Sequence, residues 1–362
     1  MNKIKKYNRK YNFSSGPTQI PLEVLEQINK DLYNYNNSGM SIMEMSHRSK
    51  YFYEVQNKAM QLLRELYSIP NDYEILFLQG GARLQFSMIP LNYNYLGKIG
   101  YVNTGPWALD AYIEAKKIND MKCYIVKESQ ESIPKIEKSD LVNETKFLHI
   151  TSNNTINGIQ YKEYPNIKEV TLIADMTSDI LSKKININDF GIIYASAQKN
   201  LGISGVTIVI IKKSLLENCN PDLPPSLKHY HHFQNDCMLA TSPTFSIYVL
   251  KLILEYAKKI GGLEIIEKNN ETKAKMIYDI IDSSNGFYTG FADKNSRSLM
   301  NITFKLPTEE LNKKFILAAE KENIINIGGH HKRGGIRISN YNWIDKNDCL
   351  VLCHFMKKFI NI

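Results

Sequence analysis

Seven short apolar runs constrain this chain more than any other feature: EILFL (74–78), KIGYV (98–102), CYIV (123–126), FLHI (147–150), TLIA (171–174), GIIYA (191–195) and VTIVII (206–211). Runs of this length, apolar on both faces, suit strands in the middle of a sheet covered on both sides. Most are separated by helix-length segments, which return the chain to the same edge and make neighbouring strands parallel. The pattern predicts an α/β fold, with a mostly parallel seven-stranded sheet covered by helices. Sheets of this kind bind ligands beyond the carboxyl ends of their strands. The residues that follow each run are therefore the first place to look for chemistry.

Helical spacing frames the sheet. Ile20, Val24, Ile28 and Leu32 form one apolar stripe, and Phe52, Val55, Leu62, Leu63 and Leu66 form another. A helix over 244–259 should stop at Gly261-Gly262. A helix (263–284), a strand (299–306), a helix (308–322) and a short strand (336–339) then describe an α+β unit. With 362 residues the chain exceeds the usual size of one domain. The expected division is a large domain over 15–257 and a smaller α+β domain over 258–362 that also takes 1–14.

A net charge of +8 arises from scattered lysines in a Lys/Asn/Ile-rich chain, which fits small anions better than a polymer. No basic tract carries interleaved aromatics, so no nucleic-acid groove is expected. The start, MNKIKKYNRKYNFSS, lacks an apolar core, and no run is long enough for a membrane span. Five cysteines, few and odd in number, read as reduced thiols of a cytoplasmic protein, and Cys349 and Cys353, one helical turn apart, lack the second ligand pair a zinc site needs. The HYHHF stretch puts His229, His231 and His232 on one short loop without a carboxylate partner. No metal site is expected there, and the cluster is read instead as added positive potential near a subunit surface.

The strand ends hold polar residues of specific kinds. After EILFLQ comes GGARLQF, a tight turn opening a helix whose first N–H groups, at Ala82 and Arg83, favour an anion. It is not a P-loop, since no Lys-Ser/Thr pair follows the glycines. Trp107 follows the next run at a helix start, as core or as a flat wall for an aromatic ligand. Thr155 lies in a polar loop after FLHI. Asp175 follows TLIA, where a carboxylate is costly unless a cation or strong donor meets it. Lys199, in SAQKN, stands between two apolar runs, with Gly202 and Gly205 letting the chain reverse into the next strand. A lysine in a partly dry site has a lowered pKa and can attack a carbonyl as the neutral amine. Each feature alone also reads as an ordinary turn, cap or core residue. Together, in the chain order phosphate loop, Trp, Asp, Lys, they are the equipment for pyridoxal 5′-phosphate.

SSGPT (14–18), MSHRS (45–49), GGARLQF (80–86), NTGPWA (103–108), ADMTSDILS (174–182), SAQKNLG (196–202), TSPTFSIY (241–248) and GGIRISNYN (334–342) resemble the phosphoserine aminotransferase family. The resemblance spans about 12–342 and implies the type I aspartate-aminotransferase fold and a homodimer with active sites at the interface. It implies that Lys199 forms the internal aldimine and that Asp175 pairs with the ring nitrogen. It puts Trp107 on the ring and Thr155 on its phenolic oxygen. Ala82, Arg83 and Gln198 would bind the phosphate, joined by Thr241 from the other subunit. Ser15, His47, Arg48, His330, His331 and Arg337 would surround the substrate, with Arg337 on its α-carboxylate. The implied reaction moves an amino group between L-glutamate and 3-phosphohydroxypyruvate, giving O-phospho-L-serine and 2-oxoglutarate. A related oxo acid of pyridoxine synthesis, giving 4-phosphohydroxy-L-threonine, is a further substrate implied by the family.

Two departures stand out. Ala240 replaces an amide side chain before Thr241, and His331 replaces an arginine after His330, with Lys332 and Arg333 following. The competing readings are another type I enzyme, such as an alanine–glyoxylate aminotransferase or a cysteine desulfurase, and a non-catalytic scaffold.

Overall fold

All seven apolar runs form one sheet in the structure, a computed structural model that describes residues 7–360. In chain order its strands are β1 (Tyr73–Gln79), β2 (Lys98–Asn103), β3 (Cys123–Glu128), β4 (Thr145–Thr151), β5 (Thr171–Asp175), β6 (Ile192–Ser196) and β7 (Val206–Lys212). Their spatial order is β1-β7-β6-β5-β4-β2-β3. Only β7 runs antiparallel to its neighbours. The segment 197–205 explains this, because it is too short for the crossover that a parallel return requires. Gly202 and Gly205 carry φ of +135° and +112° in that reversal. A Cβ at Gly205 would lie 2.8 Å from Ser246 Oγ, so the turn also packs tightly against the following helix.

Helices cover the sheet where the apolar stripes require. Leu22–Asp31 and Lys50–Tyr67 carry the two N-terminal stripes, and Thr244–Lys259 lies against the second of them. Ser49 starts the Lys50–Tyr67 helix by accepting the Phe52 N–H at 3.2 Å. Gly261 and Gly262, with φ of +109° and +71°, end one helix and open Gly262–Asp282 directly.

Two buried apolar clusters result. One fills the space between the seven-stranded sheet and its helices, from Val24 to Ile266 with Trp343. The other gathers Phe13, Ile277, Phe304, Phe315, Ile338 and Leu352 around a three-stranded sheet. That sheet pairs Asn301–Lys305 with Thr289–Gly290 and with Ile336–Ser339, all antiparallel. Tyr11–Asn12 pairs in parallel with Ile324–Ile325, which ties the beginning of the described chain to the second cluster. The expected assignment of 1–14 there extends to residues 1–6, which lie outside the described residues.

Lys273 lies in the helix Gly262–Asp282, which gives Leu263 and Ile266 to the first cluster and Ala274 and Ile277 to the second. Its side chain is buried, and Nζ donates to the carbonyls of Tyr341 and Ile344 at 2.9 and 2.8 Å. The ammonium thus fixes the turn after the Ile336–Ser339 strand. Lys273→Met keeps the bulk but strands these carbonyls. It should destabilise the fold by about 2–4 kcal/mol, read as a lower denaturant midpoint with an unchanged slope.

Candidate active site

The carboxyl ends of the parallel strands converge, as their register dictates. Thr151 at the end of β4 lies opposite Asp175 at the end of β5, and Asp175 lies opposite Tyr194 in β6. A cavity of about 330 Å³ opens beyond them. Ser15, Ala82, Arg83, Trp107, Thr155, Asp175, Gln198, Lys199, His330 and Arg337 all line it. His47, Arg48, Thr241 and His331 do not line this cavity. Arg48, Thr241 and His331 are exposed and His47 is half-buried.

Lys199 is the centre of the cavity. Burial pushes its pKa down to about 8, against the pull of Asp175, and Arg337 adds to the lowering. The Asp175 carboxyl is buried, and that burial raises its pKa. The Thr177 hydroxyl, the Thr177 N–H at 2.9 Å and the Lys199 charge all work the other way. Desolvation therefore outweighs attraction on both partners, leaving a lysine that reaches its neutral form near physiological pH. Gly16 packs against the same side chain: a Cβ there would lie 3.3 Å from Lys199 Cε, and its φ of +137° suits glycine.

The remaining walls have separate duties. The helix Ala82–Tyr93 starts at the cavity, where the N–H groups of its first turn have no partner within the helix. The Arg83 guanidinium is committed to Asp110 and Glu114, at 2.6 Å each, which leaves the Arg83 backbone N–H for an anion. Trp107 donates Nε1–H to Thr155 Oγ1 at 3.1 Å, which fixes the indole and leaves the Thr155 proton free to donate elsewhere. Arg337 pairs with no carboxylate among the described residues. A half-buried guanidinium in that state is a site for an anion. His330 lines the cavity beside it, and burial lowers its pKa. Thr151 Oγ1 is buried and has no hydrogen-bond partner among the described residues.

One expectation needs correction. His229 is buried, and its ring nitrogens meet Tyr93 Oη at 3.1 Å and Gln85 Oε1 at 2.9 Å. Burial lowers its pKa to about 3 and also lowers that of His232. Both rings are therefore neutral and add no positive potential. No metal-binding cluster occurs among the described residues.

Sequence reading missed Thr151, Asn153, Thr177 and Ser178, which also line the cavity. Thr151 ends β4, and Asn153, Thr177 and Ser178 come within three residues of the end of β4 or β5, so the strand-end rule could have found them. Phe86 lies one turn into a helix and carries no sequence signal that separates it from core.

Comparison with known proteins decides the family. The class-V aminotransferase profile matches residues 10–352. A phosphoserine aminotransferase of Alkalihalobacillus alcalophilus is 49% identical over 352 residues, covering 96% of this chain and 98% of the relative. The chain belongs to the phosphoserine aminotransferase family. The phosphoserine aminotransferase structure from Bacillus circulans subsp. alkalophilus agrees, with a TM-score of 0.94 and 43% identity, covering 98% of this chain and 99% of that one. A second, from Trichomonas vaginalis with PLP bound, has a TM-score of 0.91 and 34% identity, covering 96% and 100%. Family membership also accounts for the type I fold, with its mixed sheet and smaller C-terminal unit. Desulfurase chemistry is disfavoured on separate grounds, because all five cysteines are buried free thiols.

Lys199 also gives a pH signature. Its folded pKa lies below that of an unfolded lysine, so the unfolded chain binds the extra proton between about pH 8 and the usual lysine range. Stability contributed by this residue should rise with pH through that window. Without added ligand, Lys199→Met should be more stable than the parent at pH 7, with the advantage shrinking toward pH 10, as read from denaturant midpoints.

Proposed function

We propose that this chain binds pyridoxal 5′-phosphate at Lys199 and transfers an amino group from L-glutamate to 3-phosphohydroxypyruvate. The products are 2-oxoglutarate and O-phospho-L-serine, a step of serine biosynthesis. The observation that carries the reading is a half-buried Lys199 facing a buried Asp175, in a cavity that also holds an unpaired Arg337. The donors fit the cofactor. A buried carboxylate, a hydroxyl with a proton to give at Thr155, an unpartnered Thr151 Oγ1 and a helix start offer partners for a ring nitrogen, a phenolic oxygen and a phosphate.

When bound, the cofactor supplies a carbonyl carbon and an electron-withdrawing ring. The chain's own residues do the rest. Asp175 holds a proton at the ring nitrogen. Lys199, near its own pKa, takes the proton from the substrate α-carbon and returns it. Trp107 presents a fixed face, and the backbone N–H groups of Ala82 and Arg83 hold the phosphate with Gln198. Arg337 binds the α-carboxylate, beside Ser15 and His330.

The substrate's distal anion needs more cations than this cavity offers alone. Arg48 and His47, with His331, and Thr241 for the phosphate, are assigned to the same site, the first two and Thr241 from a second copy of the chain. The position of His47, Arg48 and Thr241 away from the cavity of their own chain supports a homodimer with shared sites. The five free thiols support a cytoplasmic setting, and the second apolar cluster, drawn from Phe13 and from Ala274 to Phe359, supports a division into 15–257 and 258–362 with 1–14.

The deciding assay compares amino transfer from L-glutamate to 3-phosphohydroxypyruvate, pyruvate and glyoxylate. The phosphorylated acid should be preferred by at least about 100-fold in kcat/KM, and equal rates would refute the assignment. Sharing of sites has its own test. Lys199→Ala and Arg48→Ala proteins, each weakly active or inactive alone, should regain up to about a quarter of wild-type activity when mixed and re-equilibrated, since mixed dimers hold one intact site. No recovery, with mixed dimers formed, would contradict interface-shared sites.

A further inference from the structure

Tyr341 lies outside the residues assigned to the reaction, yet its contacts converge on the lysine. It is fully buried, and its ring centroid lies 6.0 Å from Lys199 Nζ. Its hydroxyl donates to the Ser15 carbonyl at 3.1 Å and accepts from Asn301 Nδ2 at 3.3 Å. Asn301 Oδ1 in turn accepts from Asn153 Nδ2 at 2.8 Å. Ser15 and Asn153 both line the cavity, and Gly16, next to Ser15, packs on the Lys199 side chain.

The residues after Tyr341 grip the other side of the lysine. The Asn342 N–H donates to Asn200 Oδ1 at 3.1 Å, and Trp343 Nε1–H donates to the Asn200 carbonyl at 2.8 Å. Residues 341–343 therefore hold both the loop in front of Lys199 and the residue behind it. Lys273 holds the Tyr341 carbonyl from below.

We infer that Tyr341 is a positioning residue: its ring backs the Lys199 amine, and its hydroxyl fixes the Ser15–Gly16 loop against that side chain. The hydroxyl does not carry protons in the reaction, because its hydrogen is committed to Ser15, and burial raises its pKa far above the working range. The ring supplies an apolar, electron-rich surface beside an amine that must be free to move when it leaves the cofactor. Asp175, Asp179 and Arg337 are the charged groups that face the same amine. The inference rests on the proposed transamination, because that reaction is what requires a mobile, aimed lysine.

Two variants separate the hydroxyl from the ring in the holoenzyme. Tyr341→Phe should raise KM for L-glutamate about tenfold while kcat stays within about threefold, because loop order is lost but the ring remains. Its amide hydrogen exchange should speed up at Ser15 and Gly16 and stay unchanged in β4 to β6. Tyr341→Leu should in addition lower kcat by about 100-fold, because the amine loses its backing. A purely structural role would instead lower the melting temperature with kcat and KM moving together in both variants, and that result would overturn the inference. An unchanged KM and unchanged exchange in Tyr341→Phe would overturn it as well, including where Tyr341→Leu fails to fold. A wild type without glutamate turnover refutes the proposed function, whereas an active wild type matched by both variants refutes only the role of Tyr341.

Discussion

The site depends on one imbalance: Lys199 and Asp175 attract each other, but both lose more by leaving water than they regain. Burial lowers one pKa and raises the other, so neither group rests comfortably charged. Such a pair is a liability in an unliganded fold and a resource once a partner with its own charge enters. The sheet creates the situation. Parallel strands end together, and β4, β5 and β6 deliver Thr151, Asp175 and the loop carrying Lys199 to one edge.

The rest of the molecule keeps that arrangement rigid. The short antiparallel return into β7 anchors the lysine loop from one side, and residues 341–343 anchor it from the other. The C-terminal segment thereby contributes to the site without supplying the cofactor's main contacts. Arg337 reaches the cavity from its own strand, beside that clamp.

Much of this was legible in the sequence, for identifiable reasons. Strands buried on both faces leave unmistakable apolar runs, and the half-buried edge strand Cys123–Glu128 was found with them by its own short run. The residues after them were found wherever their type was costly in a bland setting: a carboxylate after TLIA, a lysine between strands, a tryptophan at a helix start. Thr151 and Asn153 escaped because neutral polar residues at strand ends carry no such cost. Tyr341 and Lys273 escaped for another reason, since their partners at Ser15, Asn301 and Ile344 are brought together only by the tertiary fold. The His229 cluster shows the converse error, in which adjacent histidines looked like surface charge while packing had buried two of them. The direction of β7 was readable in principle from the length of its connection.

The proposed chemistry requires a covalent bond between Lys199 and pyridoxal phosphate. Borohydride reduction of the holoenzyme followed by peptide mass mapping tests it directly. The expected result is a fixed cofactor mass on the peptide containing Lys199, and loss of that label in Lys199→Ala. A label on a different lysine, or no label in protein that binds the cofactor, would contradict it.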